Sequence, residues 1–339
     1  VERVLVTGGA GFIGSHLVER LVLQRQARVT VLDDLSTGRK ANLAELERRP
    51  GLTFVEGSVL DERLVQEMVD ESDVVYHLAA AVGVEWVLRH PLSSLETNIR
   101  GTENLLRACV GQRRRLLVAS TSEVYGKNDR DALTEDDDRV LGSARLARWF
   151  YAAAKSIDES FALAYWQERQ VPVTVVRFFN TVGPRQTGAY GMVVPRLVDQ
   201  ALRNQVLTVY GDGQQTRCFT NVRDSVQAML GLMDTPEAVG EIFNIGQPHE
   251  IRILDLARLI VDLTGSTSEI RLVPYGEAYG ERAAGFEDMR RRVPNPSKLE
   301  RYTGFRPRIP LEETLREVIA YKRSAMSRQQ SARGSALRS

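Results

Sequence analysis

The feature that most narrows the possible fold is the run Thr7-Gly8-Gly9-Ala10-Gly11-Phe12-Ile13-Gly14. An apolar stretch, Val4-Leu5-Val6, precedes it, and a helical pattern over residues 12–24 follows. A strand that turns through glycines into a helix is the opening of a nucleotide-binding βαβ unit. At Gly8, Gly11 and Gly14 no side chain stops the backbone from turning tightly, approaching a pyrophosphate, or packing helix on strand. The first helical turn, which holds Phe12 and Ile13, adds unpaired N–H groups and positive potential. Asp33 stands 19 positions beyond Gly14, at the end of the second β-branched run. A carboxylate there accepts hydrogen bonds from an adenosine ribose and repels a 2′-phosphate, which favours NAD over NADP. Asp34 is the adjacent rival for the ribose contact, and Arg39 and Lys40 keep NADP open as a minor alternative.

Beyond this unit, short β-branched runs alternate with helical patterns. Strands are predicted near 3–7, 28–32, 52–55, 73–78, 115–119 and 172–178, and helices near 12–24, 61–69, 95–110 and 145–168. Strands separated by helices imply parallel pairing through right-handed crossovers. The fold class is therefore α/β: a doubly wound parallel Rossmann sheet, with ligands beyond the carboxyl ends of its strands. After Asn180 the alternation is lost among Gly183, Pro184, Gly188, Gly191 and Pro195. The expected division is a cofactor domain over 1–180, rejoined by about 218–247, and a smaller C-terminal substrate-binding α/β lobe over 181–217 and 248–326. Residues 327–339 are polar and aperiodic and are expected to be disordered.

Composition removes several function classes. The 339 residues carry a net charge of +1, so no general field points to nucleic acid or a membrane surface. No run of 18 apolar residues and no signal peptide is visible, and the expected compartment is the cytoplasm. Cys109 and Cys218 lack metal-type spacing and argue against a disulfide framework, and the four histidines are scattered. No metal is expected.

Two further segments carry chemistry. Tyr151 and Lys155 are four residues apart, on one face of a helix. A free tyrosine has a pKa of about 10, too high for a base at neutral pH, and an ammonium or a nicotinamide cation nearby favours the phenolate. The same lysine can hold the nicotinamide ribose. The run Ser120-Thr121-Ser122-Glu123-Val124-Tyr125-Gly126 follows an apolar strand and so sits at a carboxyl edge. Thr121 and Ser122 offer hydroxyls to a sugar oxygen, and Glu123 places a carboxylate in or near the pocket. Tyr125 is an alternative base without a lysine at helical spacing.

At these motifs, with His77-Leu78-Ala79-Ala80 and Arg177-Phe178-Phe179-Asn180-Thr181-Val182-Gly183-Pro184-Arg185, the chain resembles the extended short-chain dehydrogenase/reductases that modify nucleotide sugars. The resemblance runs from about residue 3 to 325. The Thr-Ser-Glu order at 121–123 and the stretch Leu207–Arg217 make it most similar to the UDP-glucuronate decarboxylases, which form UDP-xylose. The resemblance implies cofactor contacts at Ala79, Ala80 and Asn98, and substrate contacts at Asn180, Arg185, Val194, Val209, Tyr210, Arg217 and Arg292. Arg217 and Arg292, with Asn180, would hold the diphosphate, and Arg185 would meet the sugar carboxylate. Tyr151 would take the 4-hydroxyl proton while hydride leaves C4 for NAD, with Thr121 on the same oxygen. The 4-ketone then lies β to the C6 carboxylate, which leaves as CO2, and hydride returns. Glu123 would repel the carboxylate or pass a proton to C5. Helices 95–110 and 145–168 correspond to those of a homodimer interface.

There are departures. Ser58 stands where the resemblance leads one to expect an aspartate for the adenine, and segments 81–86 and 286–292 are closer to epimerase relatives. The rival readings are a UDP-glucuronate or UDP-glucose 4-epimerase and, more distantly, a non-catalytic NAD-binding regulator.

Overall fold

The computed structural model describes residues 1–188, 192–280 and 289–336. The first half alternates as its hydrophobic pattern requires. The order is β1 (Arg3–Thr7), α1 (Phe12–Leu23), β2 (Arg28–Asp33), β3 (Leu52–Glu56), α2 (Glu62–Asp70), β4 (Val74–His77), α3 (Val84–Arg89), α4 (Pro91–Ala108), β5 (Arg115–Thr121), α5 (Phe150–Arg169) and β6 (Val173–Phe178). The chain then runs through β7 (Thr181–Val182), α6 (Val193–Leu202), β8 (Leu207–Tyr210), β9 (Thr216–Cys218) and β10 (Thr220–Asn221). It continues with α7 (Val222–Asp234), β11 (Ile242–Ile245), β12 (Glu250–Arg252), α8 (Ile253–Thr264), β13 (Ile270–Val273), α9 (Tyr275–Tyr279), α10 (Ser297–Thr303) and α11 (Leu311–Ala336).

Seven strands form one sheet in the order β11-β6-β5-β4-β1-β2-β3. Every pairing in it is parallel. Parallel strands are covered on both faces, and the near-continuous burial of β1 and β6 reflects that. One face packs Leu17, Leu21, Met229 and Phe243 from α1, α7 and β11. The other packs Val65, Leu105, Leu106 and Ala162 from α2, α4 and α5. Each such side chain contributes about 1.5–3 kcal/mol when fully buried. The strand order reverses between β1 and β4, and a crevice opens there beyond the strand ends.

A second core joins α6, β8, α8 and α11 through Leu197, Leu207, Leu256, Ile260, Leu315 and Ile319. Between β6 and α7 the chain leaves the sheet, and α7 with β11 brings it back to pair with β6. A buried ion pair ties α5 to the sheet: Arg177 on β6 donates to both carboxylate oxygens of Glu159, each at 2.8 Å. Removing one partner of such a pair costs about 3–5 kcal/mol.

The expectation of a disordered tail from residue 327 is corrected. Helix α11 continues to Ala336, and residues 337–339 lie outside the described part. Its packed half, through Leu315, Val318 and Ile319, supplies the costly nucleus, and the Arg, Gln and Ala beyond it extend a formed helix easily. Among the described residues no helix is long and apolar enough to cross a membrane.

Candidate active site

The crevice holds a cavity of 570 Å³ lined from the ends of β2 and β5, the turns after β1 and β4, and α5 on one side and from the lobe on the other. On the nucleotide side the backbone does the shaping. Gly8 has φ +72°, and a Cβ there would lie 2.7 Å from the backbone nitrogen of Ala79. A Cβ on Gly14 would lie 2.2 Å from the Gly8 carbonyl oxygen. No side chain caps the start of α1 at Gly11, so its first N–H groups face the crevice without an internal acceptor from a cap. Asp33 accepts from the Ala10 and Leu35 amides, each at 2.9 Å, and burial pushes its carboxyl pKa up. Gly8, Gly11, Phe12, Ile13, Gly14, Asp33, Ala79 and Ala80 all line the cavity. The cradle that a Cβ would fill, the uncapped helix start and the carboxylate at the end of β2 together fit a dinucleotide.

Three expectations on this side change. Asn98 does not line the cavity. It accepts from the Ala81 amide at 2.9 Å and donates to the Ala81 carbonyl at 3.3 Å, so it braces the loop after β4 from behind. Asp34 reaches the cavity but spends one oxygen on the Ser36 amide at 3.0 Å. The Ser58 hydroxyl accepts from the Leu60 amide at 3.2 Å, and the lining there comes instead from Gly57 and Val59.

On the catalytic side, β5 ends at Thr121 and α5 begins one residue before Tyr151, so both reach the crevice. Thr121 hydrogen-bonds Tyr151, and Ser122 and Glu123 line the same wall. Lys155 stands one turn below, and here the expectation is corrected. Its ammonium donates to Asp158 Oδ2 at 2.7 Å, both side chains are fully buried, and Lys155 is not among the lining residues. Burial raises the Tyr151 pKa above its ordinary value, with Glu123 and Asp158 adding to the rise and only Thr121 opposing it.

Glu123 is not a free pocket carboxylate. Arg148 and Arg292 each approach one of its oxygens at 2.5 Å. Burial opposes its charge, yet the two guanidiniums hold its carboxyl well below the usual carboxylate range. The two guanidiniums favour the charged form of this carboxylate. Tyr125 is no rival base either. Its hydroxyl donates to Asn244 at 2.7 Å and accepts from Arg177 at 2.8 Å, deep in the core. His77 is buried between Thr7 and Thr102, and burial lowers its pKa to about 3. Burial pushes both thiols up to about 12, which leaves Cys109 and Cys218 as inert packing.

On the lobe side Asn180, Val194, Tyr210, Arg217 and Arg292 line the cavity. Val209 does not. Alternation along β8 turns it into the lobe core at 0% exposure and turns Tyr210 outward, where Arg196 stacks on its ring. Arg292 accompanies Glu123 and reaches Asn180 at 3.3 Å, a different task from a lone diphosphate holder. Arg185 lines the cavity, but its guanidinium turns to Glu19 at 2.5 Å and Ser15 at 3.4 Å instead of a sugar carboxylate position. Residues 286–288 of the segment similar to epimerases lie outside the described part. Two residues were missed by sequence reasoning, Arg148 and Asp158. The spacing of Asp158 three residues after Lys155 was a signal for the second, whereas nothing local marks Arg148.

A parallel doubly wound sheet with a glycine turn at its reversal, and a Thr–Tyr pair at the next strand ends, defines a dinucleotide-dependent enzyme of the short-chain dehydrogenase/reductase type. More narrowly, the chain belongs to the NAD dependent epimerase/dehydratase family, which matches residues 4–246. It is 42% identical to a UDP-N-acetyl-alpha-D-glucosaminuronate decarboxylase of Bacillus cytotoxicus, over 95% of this chain and 98% of that one. It is 36% identical to UDP-glucuronic acid decarboxylase 1 of Xenopus tropicalis, over 97% of this chain and 74% of the other. Among solved structures, a UDP-glucuronic acid 4-epimerase from Bacillus cereus in complex with UDP-glucuronic acid and NAD superposes with a TM-score of 0.85. That pair is 27% identical and covers 95% of this chain and 99% of the other.

Proposed function

We propose that this chain is an NAD-dependent UDP-hexuronate decarboxylase, acting on UDP-glucuronate to give UDP-xylose or on the 2-acetamido counterpart of that substrate. The observation that carries the reading is the Arg148–Glu123–Arg292 clamp beside Tyr151. Glu123 occupies guanidinium faces that a sugar carboxylate would otherwise take. The C6 carboxylate is then held weakly, and its departure from a 4-keto sugar is not opposed. Arg185, engaged with Glu19, adds no second grip.

The glycine turn, Asp33, Ala79 and Ala80 would hold NAD, and when bound it supplies the acceptor and later the donor of the C4 hydride. Tyr151, once ionised, receives the 4-hydroxyl proton at its phenolate oxygen and becomes the phenol, with the Thr121 hydroxyl fixing that oxygen, and Ser122 adds a further hydroxyl at the wall. Asn180, Arg217, Val194 and Tyr210 form the side that receives the nucleotide diphosphate and base. Residues 1–180 with 218–247 act as the cofactor domain, and the lobe as the substrate domain. The α4 and α5 pair is the surface for a homodimer.

The test is incubation with UDP-glucuronate, and separately with UDP-N-acetylglucosaminuronate, in the presence of NAD. Release of CO2 and a UDP-pentose (or its acetamido analogue) is expected from at least one. A product of unchanged mass from both would assign a 4-epimerase instead. No turnover of either, with NAD bound, would favour a regulator.

A further inference from the structure

Asp158 is a fully buried carboxylate that the proposed reaction does not use. It sits on the inner face of α5, three residues after Lys155, and takes the lysine's ammonium at 2.7 Å where both side chains are shielded from water. Burial pushes its carboxyl pKa up, with Lys155 foremost and then the Thr102 hydroxyl of α4 working against that rise. That hydroxyl also lies 3.2 Å from His77 Nε2, and His77 Nδ1 lies 2.8 Å from the Thr7 hydroxyl at the glycine turn.

A carboxylate at contact distance turns an ammonium into a dipole. Tyr151, one turn away, then feels little of the positive charge that would stabilise its anion. The charged and titratable groups around Tyr151 come from four directions. Helix α5 contributes Lys155, Asp158 and Glu159, with Glu159 balanced by Arg177. The turn after β5 brings Glu123, balanced by Arg148 and Arg292. Strand β4 brings His77, which burial keeps neutral, and the residues from Met289 onward bring Arg292. Lys155 is a cation on Tyr151's own helix, one turn away, with its partner beside it, so Asp158 decides how much of its charge the phenol receives.

We infer that Asp158 is a positioning residue that holds Lys155 and sets the pH at which Tyr151 becomes the base. The inference rests on the reading of Tyr151 given above. If kcat/KM rises as the phenol ionises, removing the Asp158 charge favours the phenolate and moves that rise to lower pH.

The experiment is the pH profile of kcat/KM for the wild type, Asp158→Asn and Asp158→Glu. The acid limb of Asp158→Asn is expected about one pH unit lower, and Asp158→Glu is expected to restore the wild-type position. Superimposable acid limbs for Asp158→Asn and wild type would overturn the inference. A second measurement needs neither turnover nor a folded Asp158 variant. The tyrosinate absorbance of the wild type, with that of Tyr151→Phe subtracted, is titrated without substrate. A midpoint above the free-tyrosine value of about 10 is expected, and one at or below it would overturn the inference. Full turnover in Tyr151→Phe would sink the reading of the site instead, and the absorbance midpoint would still report whether the phenol feels the Lys155 charge.

Discussion

The two walls of the cleft are built by different means. The nucleotide wall is a matter of volume: Gly8 and Gly14 sit where other backbone atoms already crowd the place of a Cβ. The catalytic wall is a matter of charge. Glu123 lies between two arginines, Lys155 lies on Asp158, and Arg177 lies on Glu159, all with little water. The first wall should fail when an atom is added. The second should fail when a charge is removed and the shape kept, because each ion there leaves a buried partner uncompensated.

Three substitutions probe that contrast, and Tyr151→Phe should have the largest effect. It keeps the ring and the net charge at neutral pH, and it removes the hydroxyl placed to move a proton. Turnover should fall by about 10²–10⁴, with NAD affinity by fluorescence titration near wild type. A loss of NAD binding of similar size would show that the walls are not separable. Gly14→Ala comes next. The added methyl cannot fit beside the Gly8 carbonyl, so denaturant melts should show a loss of about 1–3 kcal/mol together with weakened NAD binding. Unchanged stability would mean that the turn yields more readily than its geometry suggests. Glu123→Ser should have the smallest effect on turnover, although it costs stability by leaving two buried guanidiniums without their carboxylate. It frees Arg148 and Arg292 to grip the substrate carboxylate. Decarboxylation should slow by about tenfold relative to C4 oxidation, which can be followed as transient NADH absorbance, a change of about 1.4 kcal/mol. An unaltered ratio would remove the clamp from the mechanism.

How legible each wall was in the sequence follows from the same contrast. The nucleotide wall is made by consecutive residues, and glycine spacing reports backbone requirements directly. Gly8, Gly11, Gly14 and Asp33 were therefore readable as lining of the crevice, as were the six strands that precede the lobe. The catalytic wall was readable only as residue types. That Tyr151 and Thr121 meet follows from one sits at a strand end and the other at a helix start, but what each charge pairs with depends on side chains from distant segments. Arg292 comes to Glu123 across 169 residues, which no local spacing encodes. Val209 and Asn98 were misplaced for a simpler reason. Resemblance marks a segment, and the facing of each side chain within it is decided by strand alternation and by which backbone groups need partners.

The route of the chain has a consequence of its own. Residues before the excursion supply β1 to β6, and residues after it supply α7 and β11 to the same sheet. A protease that severed the backbone between β7 and β9 would leave two fragments still stitched side by side through parallel β6–β11 pairing. The nicked molecule would hold its nucleotide wall while the substrate wall lost its tether.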